Sequence, residues 1–298
     1  MLQVFNTKEE YDKFIENDPI LKSGILYYIK EDNSGHFATN NIEDEYKIYD
    51  IGGSEEYLIV KYNIDTEGDI YIGEIVDDWS KYCDEIIIDG VNQETFSNTY
   101  HLTVGEHIIK FKFNDGIIST QMFKNNAYIK EIYIPQNITT IGNGAFDGCS
   151  ALRAVNFAKD INLTKFNNLI FDKCPIECIT IPNKINQLGQ SCLFSTSLTN
   201  IVIPDNVTII DKNAFNTCRS LKTLIIGSGV TRINGQAFRN TDGLITFIVK
   251  PTTPPVISSD TFSGDISNCP IYVPAESVDA YKAASGWSTY ASRIQAIS

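Results

Sequence analysis

The sequence predicts a mainly β protein whose C-terminal half is a coil of stacked repeats, preceded by a small β-sandwich and a short helix-and-hairpin segment. Three observations predict it. An apolar-x-x-apolar-x-apolar pattern recurs about six times after residue 128. Each copy leads to a second signature, an Ile or Val turn closed by Ala-Phe or a near variant. Charge also divides the 298-residue chain: residues 1–127 hold 10 Lys/Arg and 25 Asp/Glu, whereas residues 128–298 hold 14 and 12.

The repeats begin at Ile129, Leu152, Ile176, Leu198, Leu221 and Leu244, at intervals of 23, 24, 22, 23 and 23 residues. In each, offsets 0, +3 and +5 are apolar and point inward, while +1, +2 and +4 face the open side, because a strand alternates its faces. No single repeat can bury its apolar residues alone. Stacked turns place equivalent side chains in columns and make one continuous core. The second signature reads Ile141-Gly142…Ala145-Phe146…Cys149, Ile210…Ala214-Phe215…Cys218 and Ile233…Ala237-Phe238…Thr241. Imperfect copies occur at Phe166…Phe171…Cys174 and Leu188-Gly189…Leu193-Phe194, and a truncated one at Ile118…Phe123…Asn126. The Phe fills the far side of each turn, and the Ala lets the backbone pass close.

The seven cysteines are odd in number and lack ligand spacing; Cys174-x-x-x-Cys178 has no second pair and no nearby His. Cys149, Cys174 and Cys218 share one offset in the repeat. They read as small, inert thiols at a bend.

The string Ile-Pro-x-x-Ile-x-x-Ile-Gly-x-x-Ala-Phe-x-x-Cys-x-x-Leu resembles the BspA-like leucine-rich repeat family over residues 117–265. Phe157-Ala-Lys lacks the Ile-Pro, and Leu188–Phe194 is shifted by one residue. The resemblance implies a right-handed leucine-rich-repeat solenoid, a role in adhesion or surface and matrix binding, and no catalysis. It also implies an Ig-like character for the preceding sandwich and an end cap after the repeats.

Both ends are legible. Pro274 precedes a short helix, Ala275–Ala284, whose Val278 and Tyr281 share a face with Trp287 close behind; these close the last turn. Pro251-Thr-Thr-Pro254-Pro255 marks the exit from the coil. Residues 51–116 read as short strands, including Tyr57–Tyr62 and Glu106–Phe113, separated by Asp89-Gly90, Gly105-Glu106 and Asp115-Gly116. Residues 1–50 read as an attachment segment: a capped helix from Thr7 to about Asn17, a strand over Gly24–Lys30, and a return at His36-Phe37. The solenoid with its cap (266–298) takes residues 117–298.

Composition excludes several classes. The acidic first half argues against nucleic acid, which needs clustered Lys/Arg. No stretch reaches the roughly 18 apolar residues of a membrane span. His36, His101 and His107 sit in no motif, and Asp65-Thr-Glu-Gly-Asp69 lacks the spacing of a calcium loop. There is no phosphate cradle, Ser elbow or His-Glu-x-x-His. No enzyme activity, cofactor or metal is expected.

The candidate binding surface is the open strand face. Offset +4 gives Tyr133, Asn156, Thr180, Val202, Ile225 and Ile248; offset +2 contributes Asn200, Thr223 and Thr246. Val202, Ile225 and Ile248 are expected as an exposed aliphatic stripe, either a contact site or ordinary strand propensity. The functional expectation is a non-catalytic recognition or adhesion protein of the cell surface, with a host, matrix or glycan partner. The alternative is a bacteriophage fibre or decoration protein. The start, Met1-Leu-Gln-Val-Phe, carries no basic region, apolar core or lipid-attachment Cys. The expectation is either a trimmed signal or a different route of release. The sequence does not set oligomeric state.

Overall fold

A computed structural model describes residues 56–73, 81–158, 160–264 and 269–297, together with the backbone of strands Leu2–Phe5, Leu26–Ile29 and Ser34–Phe37. The chain divides into two units, Met1–Ser54 and Glu55–Ser298. In the first, Leu26–Ile29 is the central strand, parallel to Leu2–Phe5 and antiparallel to Ser34–Phe37. The helix expected from Thr7 lies outside the described residues.

The second unit is a β-solenoid. One face of the coil carries the strands Ile129–Ile134, Ala154–Phe157, Cys178–Ile179, Asn200–Val202, Thr223–Ile226, Thr246–Val249, Ile271–Val273 and Ile294–Ala296. Neighbours within each sheet are parallel, as winding in one direction requires. The inward positions align: Ile132 lies opposite Val155 and Val155 opposite Ile179. After a break in the sheet, Ile201, Leu224, Phe247, Ile271 and Ile294 continue the series in register. All are buried. A second column of two-residue strands runs from Ile117–Ile118 to Val256–Ile257.

On the far side of the coil the Phe residues stack. Phe123, Phe146 and Phe171 follow one another at 5.0 and 5.6 Å, and Phe215, Phe238 and Phe262 at 5.2 and 5.7 Å. The turn between has Leu193 in the ladder place, since Phe171 N donates to Cys192 O just as Phe215 N donates to Ala237 O. The irregular repeat therefore keeps its frame and swaps its aromatic: Phe194 moves one position on and is half-buried. Each ladder residue from Phe123 to Phe238 is flanked two positions away on both sides by left-handed backbone. The pairs include Gln121 and Asn125, Leu169 and Lys173, and Asn213 and Thr217, all with φ between 56° and 66°. Only Gly144 and Gly148 meet this demand with glycine. The remaining turns carry non-glycine residues there against a steric cost.

The C-terminal lid forms as expected, although its first turn, Ala275–Ser277, is 3-10 and the α-helix is Val278–Ala283. Tyr281 Oη and Trp287 Nε1 donate to the carbonyls of Pro251 and Pro255 at 2.8 Å, and Ser277 Oγ to that of Thr252 at 2.7 Å. The exit loop has no strand partner for these acceptors, and the cap supplies donors.

At the other end the expectation needs revising. Strands Leu58–Ile64, Gly105–Phe113, Cys83–Ile88 and Val91–Asn92 are not a free-standing Ig-like pair of sheets. They form one seven-stranded sheet with the first three repeat strands, in which Leu58–Ile64 pairs antiparallel with Ile129–Ile134. Among the described residues of this region, a two-stranded ribbon, Gly68–Tyr71 with Thr99–Leu102, lies outside it. The cause is the period-2 alternation of these segments. Leu58, Val60, Tyr62 and Ile64 all face inward, and Val60 lies opposite both Ile109 and Ile132. An apolar strand face in register with the first repeat closes the coil's end.

Candidate binding face

Residues directly opposite one another in a sheet share a face. The outward row of the first sheet is therefore Ile87, Lys110, Ile59, Tyr133 and Asn156, all half-buried. The neighbouring row is Ile108, Lys61, Glu131, Ala154 and Cys178. Charged and amide groups link the rows. Asn156 Nδ2 donates to Glu131 Oε1 at 2.8 Å. Lys61 and Lys130 bracket Glu106 at 2.9 and 3.4 Å, and the two lysines hold the Glu106 carboxyl below its ordinary pKa.

The expected site residues are brought together as two groups, not one. Tyr133 and Asn156 stand side by side in the seven-stranded sheet, with exposed Thr180 just past the end of the third repeat strand. Asn200, Thr223 and Thr246 form one row of the later sheet, and Val202, Ile225 and Ile248 another. The expected exposed stripe is overturned there. Ile225 is 0% and Ile248 6% accessible, and Thr223 is also buried at 9%. Val202 keeps partial exposure, as do Asn200 and Thr246. The physical reason begins with register. Val202, Ile225, Ile248 and Tyr272 are adjacent in one row, so each covers part of its neighbours' apolar surface, and burial of such a row is favourable. Being opposite in direction to Leu224 and Phe247, Ile225 and Ile248 stand outside the main core.

Repeat counting missed Ile59, Lys61, Ile87 and Lys110, because they lie upstream of the periodic region. The alternation in Tyr57–Tyr62 and Glu106–Phe113 was the available signal, and it marks them as outward-facing.

No three His, Cys, Asp or Glu side chains cluster for metal among the described residues. The thiols donate hydrogen bonds along the coil: Cys149 to Phe123 O at 3.1 Å, Cys174 to Phe146 O at 2.9 Å and Cys218 to Leu193 O at 3.2 Å. Burial pushes the Cys83 and Cys218 thiols up to about 11, away from the nucleophilic thiolate. His101 is exposed between Glu67 and Asp69, at 3.2 Å from each, which are the acids of the turn that lacked calcium spacing. His107 is buried, with Nδ1 2.6 Å from Asp89 and Nε2 2.9 Å from the Thr103 carbonyl. Burial alone would lower its pKa, but the two acceptors outweigh that and raise it.

Comparison with known proteins now adds to this geometry. Residues 116–270, about half of the chain, match the BspA type Leucine rich repeat region in six copies. The chain belongs to the BspA-type leucine-rich repeat family. Among solved structures it is similar to a leucine rich cell surface protein from Faecalibacterium prausnitzii A2-165, at 16% identity and a TM-score of 0.30, over 59% of this chain and 61% of that one. It is also similar to a leucine-rich repeat protein from Bacteroides ovatus ATCC 8483, at 19% identity and a TM-score of 0.24, over 57% and 66%. The similarity thus spans less than two thirds of either protein's length. No curated protein matches the chain. No helix among the described residues is long and apolar enough to cross a membrane.

Proposed function

We propose that this BspA-type chain is a non-catalytic surface protein that recognises an extracellular partner, a protein or a glycan, through the open face of its coil. The observation that carries this reading is the row Ile87–Lys110–Ile59–Tyr133–Asn156. It combines aliphatic, aromatic, cationic and amide groups on one sheet, a mixture suited to contact with a polar surface. The site moves relative to the sequence expectation: Tyr133, Asn156 and Thr180 stay in it, Lys110 and Ile59 join it, and Ile225, Ile248 and Thr223 leave it.

The test is a screen of the full chain against immobilised matrix proteins and a glycan array, followed by paired variants. Tyr133→Ala with Lys110→Ala is expected to weaken any captured partner at least tenfold with unchanged folding. Arg232→Glu, on the exposed second strand column, is expected to leave it alone. Equal loss from both variants, or from neither, rejects the face.

A further inference from the structure

The ladder turns contain an acidic pair that the binding face does not use. Asp147 and Asp172 each follow a stacked Phe and so occupy the same position in consecutive turns, with Gly148 N donating to Asp172 O at 2.7 Å beside them. They are 8% and 5% accessible. Equivalent side chains in consecutive turns of a coil are neighbours, so the two carboxyl groups sit one turn spacing apart along the column. Asp172 Oδ1 is buried and has no donor among the described residues. Two carboxylates offer only acceptors to each other, and a proton between them supplies the missing donor.

The surroundings explain why Asp172 lacks one. The preceding turn contributes Lys124, whose Nζ is 3.2 Å from Asp147 Oδ2. Lys173 Nζ is 3.3 Å from Asp172 Oδ2, but its side chain is 64% exposed and its charge is screened. The next turn places Phe194 at the equivalent position, where an Asn or Arg sits in later turns, and Phe194 brings neither donor nor charge. The nearby thiols, Cys149 and Cys174, are committed to backbone carbonyls. The swap of Leu193 and Phe194 in the irregular repeat thus leaves Asp172 with Asp147 as its neighbour along the column.

We propose that Asp172 keeps its proton in the folded coil and offers it to Asp147 in the adjacent turn, a pH-responsive clamp joining two turns that is tight in acid and loosens as Asp172 ionises. Desolvation is the largest influence on Asp172, ahead of the opposing Lys173 charge, and the contact with Asp147 adds to it; the net shift is upward. A carboxyl raised on folding contributes stability that is complete below its unfolded value and is lost as pH rises through its folded value. The clamp therefore strengthens on acidification from neutral pH.

The experiment compares thermal unfolding of the full chain with that of Asp172→Asn, whose amide donates to Asp147 at every pH. At about pH 8 the variant is expected to melt about 2–4 °C above the parent, and the difference is expected to vanish by about pH 4. A difference that stays constant with pH overturns the clamp. If the variant fails to fold, the carboxyl carbon shift of Asp172 in the parent protein decides it. A titration above the ordinary carboxylate range supports the clamp, and an ordinary one rejects it.

Discussion

The two sheets along the open strand face of the coil, the seven-stranded one and the five-stranded one that begins at Asn200, share one repeat pattern and differ in their outward rows. In the seven-stranded sheet the outward row is mixed and half-buried, with Lys110 and Tyr133 on either side of Ile59. In the five-stranded sheet the equivalent row is aliphatic, and its centre, Ile225, is wholly buried. Position in a repeat sets the direction of a side chain. It does not set exposure. Ile225, beside Val202 and Ile248, is interior, whereas Ile59, beside Lys110 and Tyr133, stays half-buried.

That contrast breaks most sharply under charge. Ile225→Asp is expected to cost more than about 4 kcal/mol, or to abolish folding, because an unpaired carboxylate would replace a buried aliphatic. Ile59→Asp, its outward counterpart in the first sheet, is expected to cost about 1 kcal/mol or less beside Lys61 and Lys110. Denaturant melts of both measure the gap, and equal costs would dissolve the distinction between the sheets.

The ladder gives the next largest effect. Phe215→Ala is expected to lose about 3–5 kcal/mol by urea unfolding, since it removes a ring stacked at 5.2 Å on Phe238. Leu193→Ala, in the turn where the stack is interrupted, is expected to cost about 2–5 kcal/mol and no stacking. A larger loss at Leu193 would mean that the aromatic stack adds little to burial.

Smaller effects sharpen the account of the turns. Thr217 is β-branched at φ 66°, so Thr217→Gly is expected to stabilise by about 0.5–1 kcal/mol. Gly142→Ala is expected to do the opposite, because a Cβ there would collide with the Thr120 backbone of the adjoining turn. Both are read from thermal melts. At the N-terminal end, the raised pKa of His107 predicts a contribution present below about pH 6.5 and lost as pH rises through the higher folded value. In His107→Gln that slope is expected to flatten.

Much of this architecture was legible before any coordinates. The row Ile132, Val155, Ile179, Ile201 and Leu224, the Phe ladder and the Tyr281–Trp287 lid all follow from spacing, because burial in a coil must repeat with its period. Two features were not legible. The sheet's extension into Leu58–Ile64 depends on a non-local antiparallel pairing with Ile129–Ile134, and period-2 alternation does not name its partner. Exposure along the open face is illegible for a related reason. Offset puts Tyr133 beside Asn156 on one face, but the burial of Ile225 and Ile248 cannot be read from offset alone.

The central claim is that the N-terminal strands and the repeats share one sheet, with Ile59 directly opposite Tyr133 on its open face. Paired cysteines test it most directly. In a Cys178→Ser background, Ile59→Cys with Tyr133→Cys is predicted to form a disulfide under mild oxidation, and Ile59→Cys with Thr246→Cys is predicted not to. Failure of the first pair in folded protein, or equal cross-linking of both, would contradict the shared sheet and the continuous face built on it.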